Sequence, residues 1–182
     1  MARFGKYFFL FSVLLLASCI RHLQTTQASN PPAEGKETAL RAADITAKLF
    51  PERVFFRGQS APVQFRNTSG VRFADDFYVL AGMVDNSGYS TSIREKYQAY
   101  LLNEVTLEIG GQTLKPGAYG FGFLGGGKFV VMDIGANDVL NEASQRDAEL
   151  KRPVPLQVVA ASTAGSYRMY AGRDYFEFRR AR

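Results

Sequence analysis

Apolar and polar residues alternate with a period of two along most of the chain after Pro51. Segments rich in Asn, Asp, Ser and Gly separate the alternating runs, as turns separate strands in an antiparallel sheet. The runs are residues 54–56, 63–65, 71–73, 77–83, 105–109, 119–123, 129–134, 156–160, 167–170 and 174–179. With 15 Phe and 9 Tyr available for a core, this pattern predicts one mainly β domain over residues 38–182, folded as a single β-sandwich or a partly closed barrel.

Two segments have a helical composition instead. Residues 38–50 are rich in Ala and Leu and are closed by Pro51, which predicts one N-terminal helix. Residues 137–149 begin with a capping Asn or Asp, which predicts a second, short helix. Between these segments, a Ser-x-x-Glu capping pattern predicts a helical turn near Ile93, and a strand is expected from about Gln98 onward.

The first nineteen residues have the pattern of an export signal. Arg3 and Lys6 precede an apolar run at residues 7–16, which is too short to cross a hydrocarbon core as a helix. The sequence Leu-Ala-Ser-Cys at residues 16–19 resembles the lipobox of bacterial lipoproteins. This resemblance implies cleavage before Cys19, a diacylglyceryl group on its sulfur and an acylated new amino end.

Cysteine usage agrees with lipidation. Cys19 is the one cysteine of the chain, so the exported protein forms no internal disulfide and would otherwise carry a free thiol. Ordinary signal cleavage after Ala28 is the alternative. Lipidation predicts an extracytoplasmic protein that is anchored to a membrane without spanning it. In Gram-negative lipoproteins an Asp after the cysteine usually marks inner-membrane retention, so Ile20 favours the outer membrane in such a source.

Composition divides the chain into a signal peptide at residues 1–18, a lipidated tether at residues 19–37 and the β domain. The tether is polar and has too little apolar surface to form a core. Loss of the signal peptide lowers the net charge from +5 to +3, and three positive charges lie in the last four residues. A basic stripe through the fold is therefore missing, and we expect no nucleic-acid partner. The expected partners are the membrane and an unidentified envelope protein or glycan.

The middle of the chain resembles a group of uncharacterised secreted bacterial β domains. The shared pattern is a strand, Ile-Gly-Gly at residues 109–111, Leu-x-Pro-Gly-x-Tyr at residues 114–119, and a further strand pair at about residues 128–133. The glycines and the proline form turns in this pattern, and the Leu and Tyr pack into the core. The resemblance implies a structural likeness and no catalytic residue.

Gly120 and Gly122 leave one face of a predicted strand without side chains, because the aromatic residues beside them point to the other face. A packed neighbour, either a helix or an aromatic side chain, is the expected explanation, and a ligand groove is the alternative. The spacing up to Gly125 and Lys128 also matches nucleotide-binding motifs. A β-run follows where those motifs need a helix, so we predict no nucleotide and no other cofactor.

Two further groups of residues are candidates for binding. Asp85 and Tyr89 lie in a polar connection that suits either a ligand site or an ordinary hairpin loop. Asp133, Asp138 and Glu142 are weak candidates for a Ca²⁺ site. Their spacing departs from that of a calcium loop, and helix capping explains them equally well, so no metal is predicted.

Most hydrolytic mechanisms do not fit the composition. The one histidine, His22, lies in the tether, which leaves no ordered His for Ser-His-Asp, Cys-His or His-Glu-x-x-His sites. An enzyme would need two carboxylates, so an envelope hydrolase acting on glycan is the alternative function. The candidate carboxylates are Asp75, Asp76, Asp85, Glu95, Glu104, Glu108 and Asp133. The sequence favours a binding or structural role at the bacterial envelope over an enzyme.

Overall fold

The computed structural model describes residues 36–182. Cys19, the predicted signal peptide and nearly all of the predicted tether therefore lie outside the described residues. Within the described range the chain forms strands β1 (Thr38–Leu40), β2 (Arg53–Phe56), β3 (Gln59–Arg72), β4 (Tyr78–Val84), β5 (Ala99–Asn103), β6 (Leu107–Ile109), β7 (Gln112–Leu114), β8 (Gly117–Leu124), β9 (Lys128–Met132), β10 (Asp138–Ala143), β11 (Gln145–Arg146), β12 (Gln157–Ala160), β13 (Ser166–Ala171) and β14 (Asp174–Arg180). The helices of this range are a 3-10 helix, Ala42–Asp44, and α1, Thr91–Lys96. None of them is long and apolar enough to cross a membrane.

The strands form two antiparallel sheets. The large sheet has the order β1-β3-β4-β5-β8-β9-β10, with β2 paired to the first part of β3. The small sheet has the order β12-β13-β14-β6-β7, with β11 beside β14. Apolar residues from the facing surfaces of both sheets form the main core, in which the rings of Phe129 and Phe176 stack 4.3 Å apart. The prediction of a mainly β protein is confirmed, and the two sheets pack face to face as in a sandwich rather than closing into a barrel.

Both sides of the sandwich are bridged. On one side the chain passes from β10 in the large sheet to β11 in the small sheet through the single residue Ser144. On the other side the buried hydroxyl of Ser69 on β3 donates to the carbonyl oxygen of Leu40 at 2.7 Å. The same hydroxyl accepts the backbone N–H of Val158 on β12 at 2.8 Å. One side chain therefore connects the edges of the two sheets.

Residues 38–50 do not form the predicted helix. They form β1, a single 3-10 turn and a further turn, and only Leu40, Ile45 and Phe50 of this segment are buried. These three positions recur every five residues, which does not fit one face of a helix. Pairing with β3 and burial of these side chains therefore prevail over the helix propensity of the alanines.

The helix predicted at residues 137–149 is also wrong, because this segment contains β10 and β11. Leu140 is buried between exposed neighbours, and the strand completes the ladder with β9. The helical turn predicted near Ile93 is confirmed by α1, and the strand expected from about Gln98 is confirmed by β5.

A third layer covers the outer face of the large sheet. It consists of residues 41–50, the β2–β3 hairpin and α1, and it encloses a second core. The members of this core are Leu40, Ile45, Phe50, Val54, Phe56, Ala61, Val63, Leu80, Val84, Tyr89, Ile93, Tyr97, Tyr100, Val130 and Met132. The large sheet is thus buried on both faces, whereas no further layer of the described residues 36–182 covers the outer face of the small sheet.

Candidate functional site

The glycine strip at Gly120 and Gly122 is filled by protein. Phe56 and Tyr97 stack on each other 4.0 Å apart, and a Cβ added at Gly120 would lie 2.5 Å from the first ring and 2.8 Å from the second. A Cβ added at Gly122 would overlap the backbone carbonyl of Lys96 at the end of α1. Close packing therefore explains both glycines, by aromatic rings at Gly120 and by the backbone of α1 at Gly122, and neither lies in a ligand groove.

Tyr89 belongs to the same aromatic cluster. Its buried ring meets those of Phe56 and Tyr97 edge-on, at centroid distances of 6.2 and 5.2 Å. Its hydroxyl lies 3.0 Å from the carbonyl oxygen of Phe56 and 3.1 Å from that of Gln59, to which it donates. Tyr89 is thus a core residue that pins the β2–β3 hairpin, and it is not exposed for a ligand.

Asp85 has a local role in the same connection. Its carboxylate accepts the backbone N–H of Ser87 at 3.1 Å, which is an Asx turn. Hydrogen bonds from the side chain and backbone of Ser87 lower the pKa of Asp85. The interpretation of residues 85–96 as an ordinary connection, rather than a site built on Asp85 and Tyr89, fits this geometry.

Tyr97 provides a prediction within this cluster, because its buried hydroxyl has no hydrogen-bond partner among the described residues. Burial raises the pKa of this hydroxyl, with smaller contributions from Tyr89 and Tyr100. Tyr97→Phe should raise the free energy of unfolding by about 1 kcal/mol, since an unsatisfied polar group leaves the core. Tyr89→Phe is the matched control and should lower it by about 1 kcal/mol. Urea unfolding measures the stability of both variants. A destabilised Tyr97→Phe protein would contradict the conclusion that the Tyr97 hydroxyl is buried without a hydrogen-bond partner.

The three candidate metal ligands do not converge. Asp133 closes the turn after β9. Its carboxylate accepts hydrogen bonds from the side-chain amide and the backbone N–H of Asn137 and from the backbone N–H of Gly135, and these bonds lower the pKa of Asp133. Asp138 binds the Nζ of Lys96 at 2.8 Å, and Glu142 accepts the side-chain amide of Gln112. Among residues 36–182, no three His, Cys, Asp or Glu side chains lie close enough to hold a metal ion.

Most of the candidate carboxylates already form hydrogen bonds or ion pairs with other residues of the domain. Asp75 binds Arg180 at 2.8 Å, which lowers the pKa of its carboxyl, and Asp76 binds Arg72. A general acid for glycoside hydrolysis needs a raised pKa, the opposite of the direction at Asp75. Glu104 accepts the backbone N–H of Tyr78 at 2.8 Å.

The open face of the small sheet carries a different group of charged residues. Alternation along β13 and β14 places Tyr167, Met169, Phe176 and Phe178 in the main core, which leaves their neighbours on the outer face. Register brings those neighbours together across the sheet. The pairs are Arg168 with Glu177, Ser166 with Arg179, and Arg179 with Glu108 on β6.

Apart from Arg168, these residues border a shallow cleft of about 320 Å³, which we call the outer cleft. It is lined by Glu108, Gly110, Gly111, Thr163, Ser166, Glu177, Phe178 and Arg179. The turn at Gly110 and Gly111, where both φ angles are positive (59° and 84°), forms one wall without side chains. The loop that contains Thr163 forms another wall. Hydroxyl, carboxylate, guanidinium and backbone groups thus surround one depression.

Two ion pairs fix the charged side chains of this face. The Nε of Arg179 lies 2.7 Å from Glu108, and the Nε of Arg168 lies 3.4 Å from Glu177. The guanidinium of Arg168 also lies over the ring of Tyr175, 4.8 Å from its centroid. All four charged side chains remain at least 30 % exposed, so each pair keeps free donors and acceptors. The face has two positive and two negative charges and no net charge.

Sequence reasoning found only part of this site. It considered Glu108 as a carboxylate, Gly110 and Gly111 as a turn, and Arg179 as part of a basic tail, but it gave no role to Arg168 or Glu177. The sequence signal that could have found this pair is the turn at Gly172-Arg173, because the turn sets the register of β13 and β14 and so places Arg168 opposite Glu177.

Compared with models of protein families, with curated proteins and with solved structures, the chain gives no match.

Proposed function

We propose that the protein is a lipid-anchored, extracytoplasmic binding protein of the bacterial envelope, and that the outer cleft holds a polar, uncharged ligand such as a glycan. The lipobox pattern that ends at Cys19 supports the anchor, and in a Gram-negative source Ile20 favours the outer membrane. The polar segment before β1 supports a domain that is carried on a tether.

The two ion pairs at the outer cleft are the reason for proposing an uncharged ligand. A charged ligand would meet a guanidinium and a carboxylate side by side in each pair, Arg168 with Glu177 and Arg179 with Glu108, so its attraction to one group is offset by repulsion from the other. A saccharide offers hydroxyl groups that donate to the carboxylates and accept from the guanidinium groups, so both pairs stay intact. The hydroxyl group of Thr163, an exposed residue of the cleft, adds a further polar contact.

The test is a calorimetric titration of the Cys19→Ser chain with a neutral oligosaccharide, the pentamer of N-acetylglucosamine. We expect binding that changes little with salt, because no net charge is neutralised. Glu177→Gln should weaken binding by about tenfold or more, since a hydrogen bond to a charged group is replaced by a weaker one. Glu149→Gln, at an exposed residue outside the outer cleft, is the matched control and should bind as wild type does.

Three results would argue against a glycan-binding protein with this site. Unchanged affinity in Glu177→Gln would contradict the site, and the absence of heat with this saccharide would contradict the neutral glycan as the ligand class. Release of shorter saccharides would support the alternative of an envelope hydrolase, for which Glu108 and Glu177 are the carboxylates that share one cleft.

A further inference from the structure

One end of the sandwich gathers several loops around the point where the tether joins the domain. Thr38 at the start of β1 pairs with Arg72 at the end of β3, so the chain enters beside the β3–β4 turn. Arg180 at the end of β14 binds Asp75 in that turn, and Ala181 donates its N–H to the connection between β5 and β6. We call this surface the tether end. It consists of residues 36–38, 72–78, 104–106, 115–117 and 180–182.

The segment at which the chain enters the domain, Glu37 and β1, is bound to both sheets. β1 pairs with β3 in the large sheet, and the carboxylate of Glu37 accepts the hydroxyl of Tyr167 on β13 in the small sheet at 2.8 Å. Glu37 and Thr38, near the start of the described range, are therefore held at a defined place on the domain surface.

An aromatic side chain projects from the tether end. Phe77 is 45 % exposed at the tip of the β3–β4 turn and borders a cleft of about 380 Å³. The guanidinium of Arg180 lies 5.6 Å from the centroid of this ring and 5.5 Å from that of Phe73, while it also binds both carboxylate oxygens of Asp75. An exposed apolar ring beside arginine is the composition that favours the interface between lipid headgroups and water.

The charges of the tether end nearly cancel. Five basic residues and four acidic residues lie within it, and two ion pairs, Arg72 with Asp76 and Arg180 with Asp75, neutralise much of the surface. The basic residues are Lys36, Arg72, Lys115, Arg180 and Arg182, and the acidic residues are Glu37, Asp75, Asp76 and Glu104. Attraction to anionic lipid is therefore small, and a zwitterionic bilayer is the surface that this end fits.

We infer that the tether end rests on the phospholipid surface of the anchoring membrane, with Phe77 at headgroup level. This inference depends on the proposed lipid attachment at Cys19. The chain between Cys19 and Lys36 can separate the domain from the lipid by at most about 60 Å, which keeps the local concentration of membrane surface high. One aromatic ring binds too weakly to act without this tether, and with it the contact is intramolecular.

The chain contains no Trp, so a single introduced Trp reports on its own surroundings. The experiment places the reporter at Phe77 (Phe77→Trp) or at Val154 (Val154→Trp) in the lipidated protein, reconstituted in phosphatidylcholine vesicles. Val154 is the matched control, since it is 42 % exposed and accepts the N–H of Gly172 at the opposite end of the β13–β14 hairpin. Arg182→Trp is a second reporter at the tether end if Phe77→Trp does not fold.

We expect the emission of Phe77→Trp to shift to shorter wavelength and to be quenched by brominated phosphatidylcholine, and the emission of Val154→Trp to remain as in water. Equal quenching of both reporters, or quenching of neither, would overturn the inference. The mass of the peptide that contains Cys19 tests the anchor separately. An unacylated wild-type Cys19 would contradict the proposed function, whereas an acylated protein with an unshifted Phe77→Trp reporter would contradict this inference alone.

Discussion

Gly122→Ala should lower the free energy of unfolding by about 1 to 3 kcal/mol. The new Cβ would overlap the carbonyl oxygen and carbon of Lys96, which are backbone atoms that side-chain rotation cannot move. α1 would have to shift away from the large sheet, and the stacked rings of Phe56 and Tyr97 would move with it. Urea unfolding at equilibrium measures the effect.

Gly125→Ala is the matched control three residues along the same chain segment. No atom lies within 4 Å of a Cβ added at Gly125, and its φ angle is not positive. Alanine there should leave stability unchanged or raise it by about 0.4 to 1 kcal/mol, because the unfolded chain loses freedom. A Gly122→Ala protein as stable as Gly125→Ala would show that an open groove lies over Gly122.

Ser69→Ala should lower the free energy of unfolding by about 2 to 4 kcal/mol, because it removes the partner of two backbone groups at once. The carbonyl of Leu40 loses a donor and the N–H of Val158 loses an acceptor, and the site is buried. Each unsatisfied buried group costs about 1 to 3 kcal/mol. Calorimetry and urea unfolding should agree on the loss.

Ser60→Ala serves as its control. The hydroxyl of Ser60 is exposed and accepts only from the side chain of Arg53 at 3.0 Å, so its loss should change stability by less than about 0.5 kcal/mol. If Ser69→Ala is equally mild, Ser69 does not connect the two sheets.

The strands could be predicted from sequence because burial of one face imposes a period of two, as at Val71 and Phe73. The sheet order could not, because it depends on contacts between distant residues, such as the pairing of Val79 with Asn103. Local propensity also misled at residues 38–50, where pairing with β3 decides the conformation. The third layer was missed for the same reason, although Gly120 and Gly122 showed that something lies close to the sheet.

The candidate site was harder to predict than the fold. Tyr89 had the features of a ligand residue, an aromatic side chain in a polar connection, and its burial depends on Tyr97 and on the distant β2–β3 hairpin. Arg168 and Glu177 are nine positions apart and become neighbours only when the register of β13 and β14 is fixed. Sequence periodicity assigns residues to a face, whereas the grouping of charges on that face needs the register.

The attachment of β1 also has a mechanical consequence. A force applied to the chain at residue 36 along the axis of β1 would act on this strand first. The cross-strand pairs Thr38–Arg72, Ala39–Val71 and Leu40–Gly70 would then be loaded together in shear, rather than peeled apart one after another. Because the hydroxyl of Ser69 holds the carbonyl of Leu40 and the N–H of Val158, part of the load would pass into the small sheet. We therefore expect a tethered domain of this design to withstand more force than the shortness of β1 suggests.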